Sequence, residues 1–320
     1  MVEHGVGDGD GSGRADVASW ARDAVRRLVA LDAARGARAA VPLVREALAR
    51  VPHAPQGPDP ADSSGRDVLA ALAELYEVAG WILFDAGLHG RAHRLNARAL
   101  ALAERAGDRW TARLTLLNDS MLLAHTGRPR AALAAADRAR GPRPLPPRVA
   151  GLVLIREAHA TAMLGARQEP RRLLARAGSL FLDGVSRHDP PWAWWLDEAE
   201  LTGHRGWVLA RVGDTDRAVP LLHRAATAPG PSYRHLFTAQ LLAALAGAGA
   251  WRETERLLAD LAPRVRDIGS ARTTEVLGRV ARGLRAPGAA PPPVRDSAVF
   301  LLESLAATTP APVSVSARRP

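Results

Sequence analysis

The sequence predicts an all-α chain, arranged as a right-handed α-solenoid of about six helix pairs with a capping helix at the end. Three observations carry that expectation. Alanine, leucine and arginine, all good helix formers, dominate the chain, and alternating β-branched runs of strand length are almost absent. Small and apolar residues recur at the same offsets in two places, as Gly80, Leu83, Gly87, Ala92 and Ala99 and as Gly206, Leu209, Gly213, Ala218 and Ala225, the second set also holding Leu222. Glycines then mark turns along the chain at Gly87, Gly127, Gly165, Gly213 and Gly249, spaced by 40, 38, 48 and 36 residues.

The two offset patterns are those of a tetratricopeptide pair, in which small residues let antiparallel helices touch closely. A strict repeat of that kind has about 34 residues, so the surplus belongs in loops such as 141–147 (GPRPLPP) and 186–191 (SRHDPP). In chain order, residues 1–14 alternate glycine with polar residues and read as a disordered tail. Their glycine spacing is not a phosphate loop, because no strand precedes it. Residues 16–50 read as two helices forming a first, degenerate repeat through Leu28, Leu31, Ala40, Leu43 and Ala47. The stretch 53–65 (HAPQGPDPADSSG) is a loop, and Asp67 is expected to start the next helix. Further turns fall at Gly127 with Ala132 and at Gly165 with Pro170, and Gly213-Asp214 joins the clearest pair. A helix over 270–284 caps the solenoid domain, assigned to 15–285. Residues 286–320 hold a Pro-rich linker (286–293), a short amphipathic segment at 296–305 and a mobile Pro/Ser/Thr tail.

Composition narrows the function. The net charge is +10, yet all 43 basic residues are arginine, as the coding bias of a G+C-rich genome produces, and they are scattered over nearly every helix. Scattered charge is that of a solvated or salt-bridged surface, so direct DNA binding is disfavoured. Without cysteine there is no disulfide framework, thiolate zinc site or thiol nucleophile. No signal peptide or membrane-length apolar run is found, which places the chain in the cytoplasm. The chain has no GxSxG, HExxH or GxxxxGK[ST] motif, so a conventional hydrolase, metalloprotease or kinase is not expected.

Two features could carry chemistry. Transferring tetratricopeptide geometry places the first helix of each pair on the concave surface, with Glu74, Glu77, Trp81 and Phe84, then His159, then Glu200 and Trp207 in one groove. An acidic, aromatic groove in a basic protein suits a cationic group or a peptide amino end; the alternative is that the tryptophans seal helix interfaces and the carboxylates pair with arginines. Downstream of the tryptophan cluster at 192–195, Asp197, Glu200 and His204 lie on one helical stripe and could perform acid–base chemistry or bind a metal. A structural network is the alternative, since a helix-borne metal site usually needs a ligand from another helix. His89 and His93 form an HxxxH but read as surface residues, so neither a metal nor a cofactor is expected.

Several segments resemble the C-terminal tetratricopeptide-like module of actinobacterial helix-turn-helix transcriptional regulators associated with sporulation and antibiotic production. They are 27–48, 73–87 (AELYEVAGWILFDAG), 95–109, 125–133, 155–167, 182–206 (LDGVSRHDPPWAWWLDEAELTGHRG) and 249–277 (its GSART portion above all), together spanning most of 16–284. The resemblance implies that Glu74, Glu77, Trp81, Asn96, Arg156, Glu157, Asp197, Glu200 and His204 occupy positions typical of the family. All of these except Glu157, together with Asn118, His159, Trp194 and Trp207, make up the candidate ligand-binding set. Those regulators carry an N-terminal DNA-binding domain, for which residues 1–14 leave no room, so operator binding is not expected. The implied function is a regulatory or adaptor module binding a small signal molecule or a peptide or protein segment, with a homodimer left open. The alternative is a recruited biosynthetic enzyme using Asp197, Glu200 and His204.

Overall fold

The computed structural model describes residues 8–52, 62–182 and 184–307. Among these residues all regular structure is helical, without a strand. Fourteen α-helices form seven pairs: α1 (Asp8–Arg35) with α2 (Ala37–Ala49), α3 (Ser63–Asp85) with α4 (His89–Ala106), α5 (Arg109–His125) with α6 (Pro129–Arg140), α7 (Pro147–Met163) with α8 (Gln168–Leu182), α9 (Glu198–Arg211) with α10 (Thr215–Thr227), α11 (His235–Gly247) with α12 (Trp251–Leu261), and α13 (Ala271–Arg285) with α14 (Pro292–Ala306). The first helices of successive pairs also touch one another, from α1 against α3 through to α11 against α13.

The glycine pattern has a direct structural cause. Gly87, Gly127, Gly165, Gly213 and Gly249 follow the first helix of five pairs with φ between 68° and 87°, the left-handed region that a Cβ disfavours. The residue after each donates its N–H to the carbonyl five positions back, as Leu88 to Leu83, Arg128 to Leu123, Ala166 to Thr161, Asp214 to Leu209 and Ala250 to Leu245. Each bond closes the helix end and turns the chain. Within the helices, a Cβ on Gly206 would lie 2.7 Å from Leu222 and 3.1 Å from the Ala218 carbonyl. Small residues thus set the spacing of α9 and α10, and Ala92, Ala99, Ala132, Ala218 and Ala225 are fully buried at equivalent contacts.

Boundaries differ from the sequence reading at three places. Helix α1 begins at Asp8, inside the expected tail, while residues 1–7 lie outside the described residues. Helix α3 begins at Ser63 because Asp62, not Asp67, caps it by accepting from the Ser64 and Gly65 amides; residues 53–61 of the expected loop lie outside the described residues. The stretch 286–293 is the turn of a seventh pair, since Pro292 opens α14 at a first-turn position where proline's missing N–H costs nothing. Helix α14 docks on this chain, against α12 and α13, by burying Val294, Ala298 and Leu301. Residues 308–320 of the expected tail lie outside the described residues.

The last pairs return to the first. The Arg38 amide donates to the Gly269 carbonyl at 2.8 Å, and Ser232 Oγ to the Asp32 carbonyl at 2.9 Å. Asp85, at the end of α3, accepts from Ser270 Oγ at 2.9 Å and from Arg272 Nε at 2.6 Å, with all three residues buried. Gly36 and Gly269 approach so closely that a Cβ on either would meet the other's backbone at 2.6–2.7 Å. Trp207 packs against apolar clusters from the start, middle and end of the chain. The seven first helices therefore surround a common centre.

Candidate functional site

That centre is a cavity of about 840 Å³. Every first helix from α1 to α13 contributes side chains to its lining, and no second helix does. Two short 3₁₀ segments complete the wall, Pro191–Trp195 and Ser232–Arg234. The apolar part of the wall is aromatic: Trp81, Trp110, Trp192, Trp194 and Trp195 with Tyr233 and Phe237. Pro191 starts its 3₁₀ turn and sets the tryptophans on it; Trp192 Nε1 donates to the Trp110 carbonyl at 3.3 Å, while Trp194 is 62% exposed and marks the mouth.

The polar part combines acids with arginines. Glu77 is buried and accepts a hydrogen bond from Asn118 Nδ2. Burial pushes its carboxyl up to about 8 against the opposing effect of that bond, with Glu74 adding to the rise. Burial likewise raises Glu200 to about 7, with Arg234 and Arg156 opposing, and Asp32 to about 7, with Asp85 adding. His204 and His159 are held well below the usual imidazole range by burial, His159 also by His204 and both by Arg156. The expectation of an acidic groove is therefore modified: removal from water disfavours the carboxylate form, and Glu77, raised to about 8, favours its protonated form at neutral pH. Arg156 is lowered by burial to about 10 and stays charged; its Nε donates to the Leu117 carbonyl at 3.1 Å. Arg156 Nη1, Glu200 Oε2 and Asp32 Oδ1, all on lining residues, are buried without a hydrogen-bond partner in the protein.

The cavity wall brings together Glu74, Glu77, Trp81, Asn118, Arg156, Trp194, Glu200 and His204 of the sequence-derived set. Four others stand apart from it. Asn96 is on the second helix α4, against Gly80, and donates to Asp119. His159 lies beneath His204, with His159 Nε2 and His204 Nδ1 2.9 Å apart and its ring against Trp207. Trp207 is a core residue for the reason given above. Asp197 caps α9 by accepting from the Glu200 amide and pairs with Arg234. The stripe therefore does not converge on one point: only Glu200 and His204 meet, at 3.4 Å between Oε1 and Nε2. Phe84, expected in the groove, is buried against Trp81 and His125, and Glu157 pairs with Arg140.

Among the lining residues outside the sequence-derived set are Asp32, Tyr233 and Arg272. Asp32 follows Leu31 in the degenerate first repeat, and Tyr233 lies in a short connecting segment outside the repeat pattern. Arg272 lines the cavity with its guanidinium 4.8 Å from the Trp81 ring centre and 4.6 Å from that of Phe84; its GSART context was noticed, but its partner Asp85 is 187 positions away. No family model matches the chain, and no curated protein sequence matches it.

Proposed function

We propose that the chain is a regulatory ligand-binding protein that holds a small signal molecule in its central cavity. On this reading the helix pairs form a right-handed, tetratricopeptide-like solenoid, related to the C-terminal modules of actinobacterial regulators of sporulation and antibiotic production and working in the cytoplasm. The observation that carries the reading is the cavity, which has the size of small-molecule sites and joins aromatic walls to buried polar atoms that lack a hydrogen-bond partner in the protein. The ligand that fits has an apolar or aromatic body for the tryptophans and a hydrogen-bonding end for Arg156, Glu200 and protonated Glu77. An extended peptide fits less well, because the contacts of Asp85 with Ser270 and Arg272 close the groove into a ring. Among the described residues no helix is long and apolar enough to cross a membrane.

One contact favours a second reading, a recruited enzyme. Glu200, raised to about 7, lies beside a neutral His204 in the cavity wall, a pairing suited to proton transfer. Native mass spectrometry of the full chain with a bacterial small-molecule extract separates the two. A retained adduct of unchanged mass, weakened by Glu200→Gln, supports the binding protein. Accumulation of a product of altered mass, stopped by Glu200→Gln or His204→Ala, supports the enzyme. Absence of any adduct or product removes the small-molecule proposal.

A further inference from the structure

Away from the cavity, on the far side of Phe84, three side chains from three helices meet at the seam where the last pair returns to the first. His89 is the first residue of α4, His125 the last of α5, and Glu275 projects from α13. A ring nitrogen of each histidine and a Glu275 oxygen all lie within 4.8 Å of one another. The His89 and His125 ring centres are 5.0 Å apart, and both rings pack against Phe84. His89 was expected on the surface with His93; instead the α4 start meets the α5 end and half-buries it, and only His93 is exposed, paired with Asp119.

We propose that His89, His125 and Glu275 form a binding site for a divalent transition metal of the zinc class, which fastens α13 to α4 and α5 and so locks the ring.

Three features support it. Zinc ligands at about 2.0–2.2 Å in tetrahedral array stand roughly 3.3 Å from one another, and His125 Nε2 and Glu275 Oε2 are already 3.3 Å apart. His89 Nε2 is buried with no hydrogen-bond partner in the protein, an orphaned imidazole atom in a region where such atoms are usually satisfied. Two imidazoles with one carboxylate suit zinc, cobalt or a neighbouring transition metal, whereas calcium and magnesium require oxygen ligands. The charge environment is compatible, because Arg272, whose charge acts on His125, is paired with Asp85. Glu275 is 46% exposed, which leaves an entry route and room for water as a fourth ligand.

The test is calorimetric titration of the full chain, stripped with chelator, using zinc chloride alone, followed by the visible absorption spectrum of the cobalt form. One equivalent should bind, the cobalt spectrum should show tetrahedral intensity, and a hundredfold excess of zinc over its Kd should raise Tm by roughly 5 °C. Glu275→Gln, at a half-exposed position where folding is retained, and His125→Ala should each weaken binding about tenfold or more, and His93→Ala should leave it unchanged. The proposal is overturned if no equivalent binds, if Glu275→Gln binds as tightly as the parent, or if His93→Ala loses as much as His125→Ala.

Discussion

Replacing Glu77 by glutamine should remove a defined part of the pH dependence of stability. The carboxyl is raised from 4.5 to about 8, chiefly by burial. A raised acid takes up its proton more readily in the folded chain than in the unfolded one. Its contribution is therefore fully present below about 4.5 and is lost as pH rises towards about 8 and beyond. At about 1.4 kcal/mol per unit, the wild type loses roughly 3 kcal/mol by pH 7, and on the order of 5 kcal/mol above pH 8, through this one group. Glutamine has nearly the same shape and keeps an oxygen for Asn118, but it does not ionise. Urea unfolding followed by far-UV circular dichroism at about pH 5 and about pH 9 should show the two proteins nearly equal in acid and Glu77→Gln more stable in base. Glu200 and Asp32 have the same sign, so the difference between the two proteins isolates Glu77. Parallel stability curves for the two proteins would refute the assignment of a buried, protonated acid.

Further outcomes follow from particular residues. Asp85→Asn or Arg272→Ala breaks a buried ion pair, and denaturant unfolding should show a loss of about 3–5 kcal/mol. Gly206→Ala brings a methyl within 2.7–3.1 Å of Leu222 and the Ala218 carbonyl, so α9 and α10 must separate and stability should fall by about 1–3 kcal/mol; exposed Gly283→Ala, with nothing within 4 Å, should instead gain about 0.5–1 kcal/mol. Trp194→Ala should leave Tm nearly unchanged, since the side chain is mostly exposed, while reducing the adduct seen by native mass spectrometry. In hydrogen exchange, amides of 192–195 should exchange before those of 273–275, whose first two are bonded to Ser270, and equal protection of the two segments would count against a more loosely held tryptophan segment.

Much of this architecture is legible in the sequence because its signals are local. Gly87, Gly127, Gly165, Gly213 and Gly249 report a backbone conformation that depends on a few neighbours, and Gly206 and Ala218 report a contact within one pair. The side of each pair that faces inward follows from the same geometry, and of the residues it selects Glu74, Glu77, Trp81 and Glu200 line the cavity, while Phe84, His159 and Trp207 pack behind the wall. Ring closure has no local signal, as the bonds of Asp85 to Ser270 and Arg272 span 185 and 187 positions. Nor does a periodic pattern separate Trp194 at the mouth from Trp207 in the core. Proline misled at α14: three prolines in a row at 291–293 suggest a linker, yet the first helical turn accepts them.

Closure also changes what the charges of the wall mean. In an open groove Glu74, Glu77 and Glu200 would stay hydrated and ionised, and the site would attract cations. Inside a ring they lose water, and burial raises the free energy of the ionised form of all three. Arg156 keeps its charge, because even after lowering it titrates near 10. A ligand therefore meets carboxyls whose ionised form is disfavoured, Glu77 most of all, beside a fixed cation, which weakens the attraction for ammonium groups and leaves Arg156 for an acceptor. The same closure limits the way in. Opening the seam at α13 means breaking the buried Asp85–Arg272 pair, whereas the 191–195 segment is tied across the cavity rim by Trp192 to the Trp110 carbonyl and by Arg148 to the Ala193 carbonyl at 3.4 Å. Two single hydrogen bonds at about 1 kcal/mol each hold far less than a desolvated ion pair, and the tryptophan segment is kept in place mainly by burial of Trp192 and Trp195 against Leu117, Leu152 and Leu196.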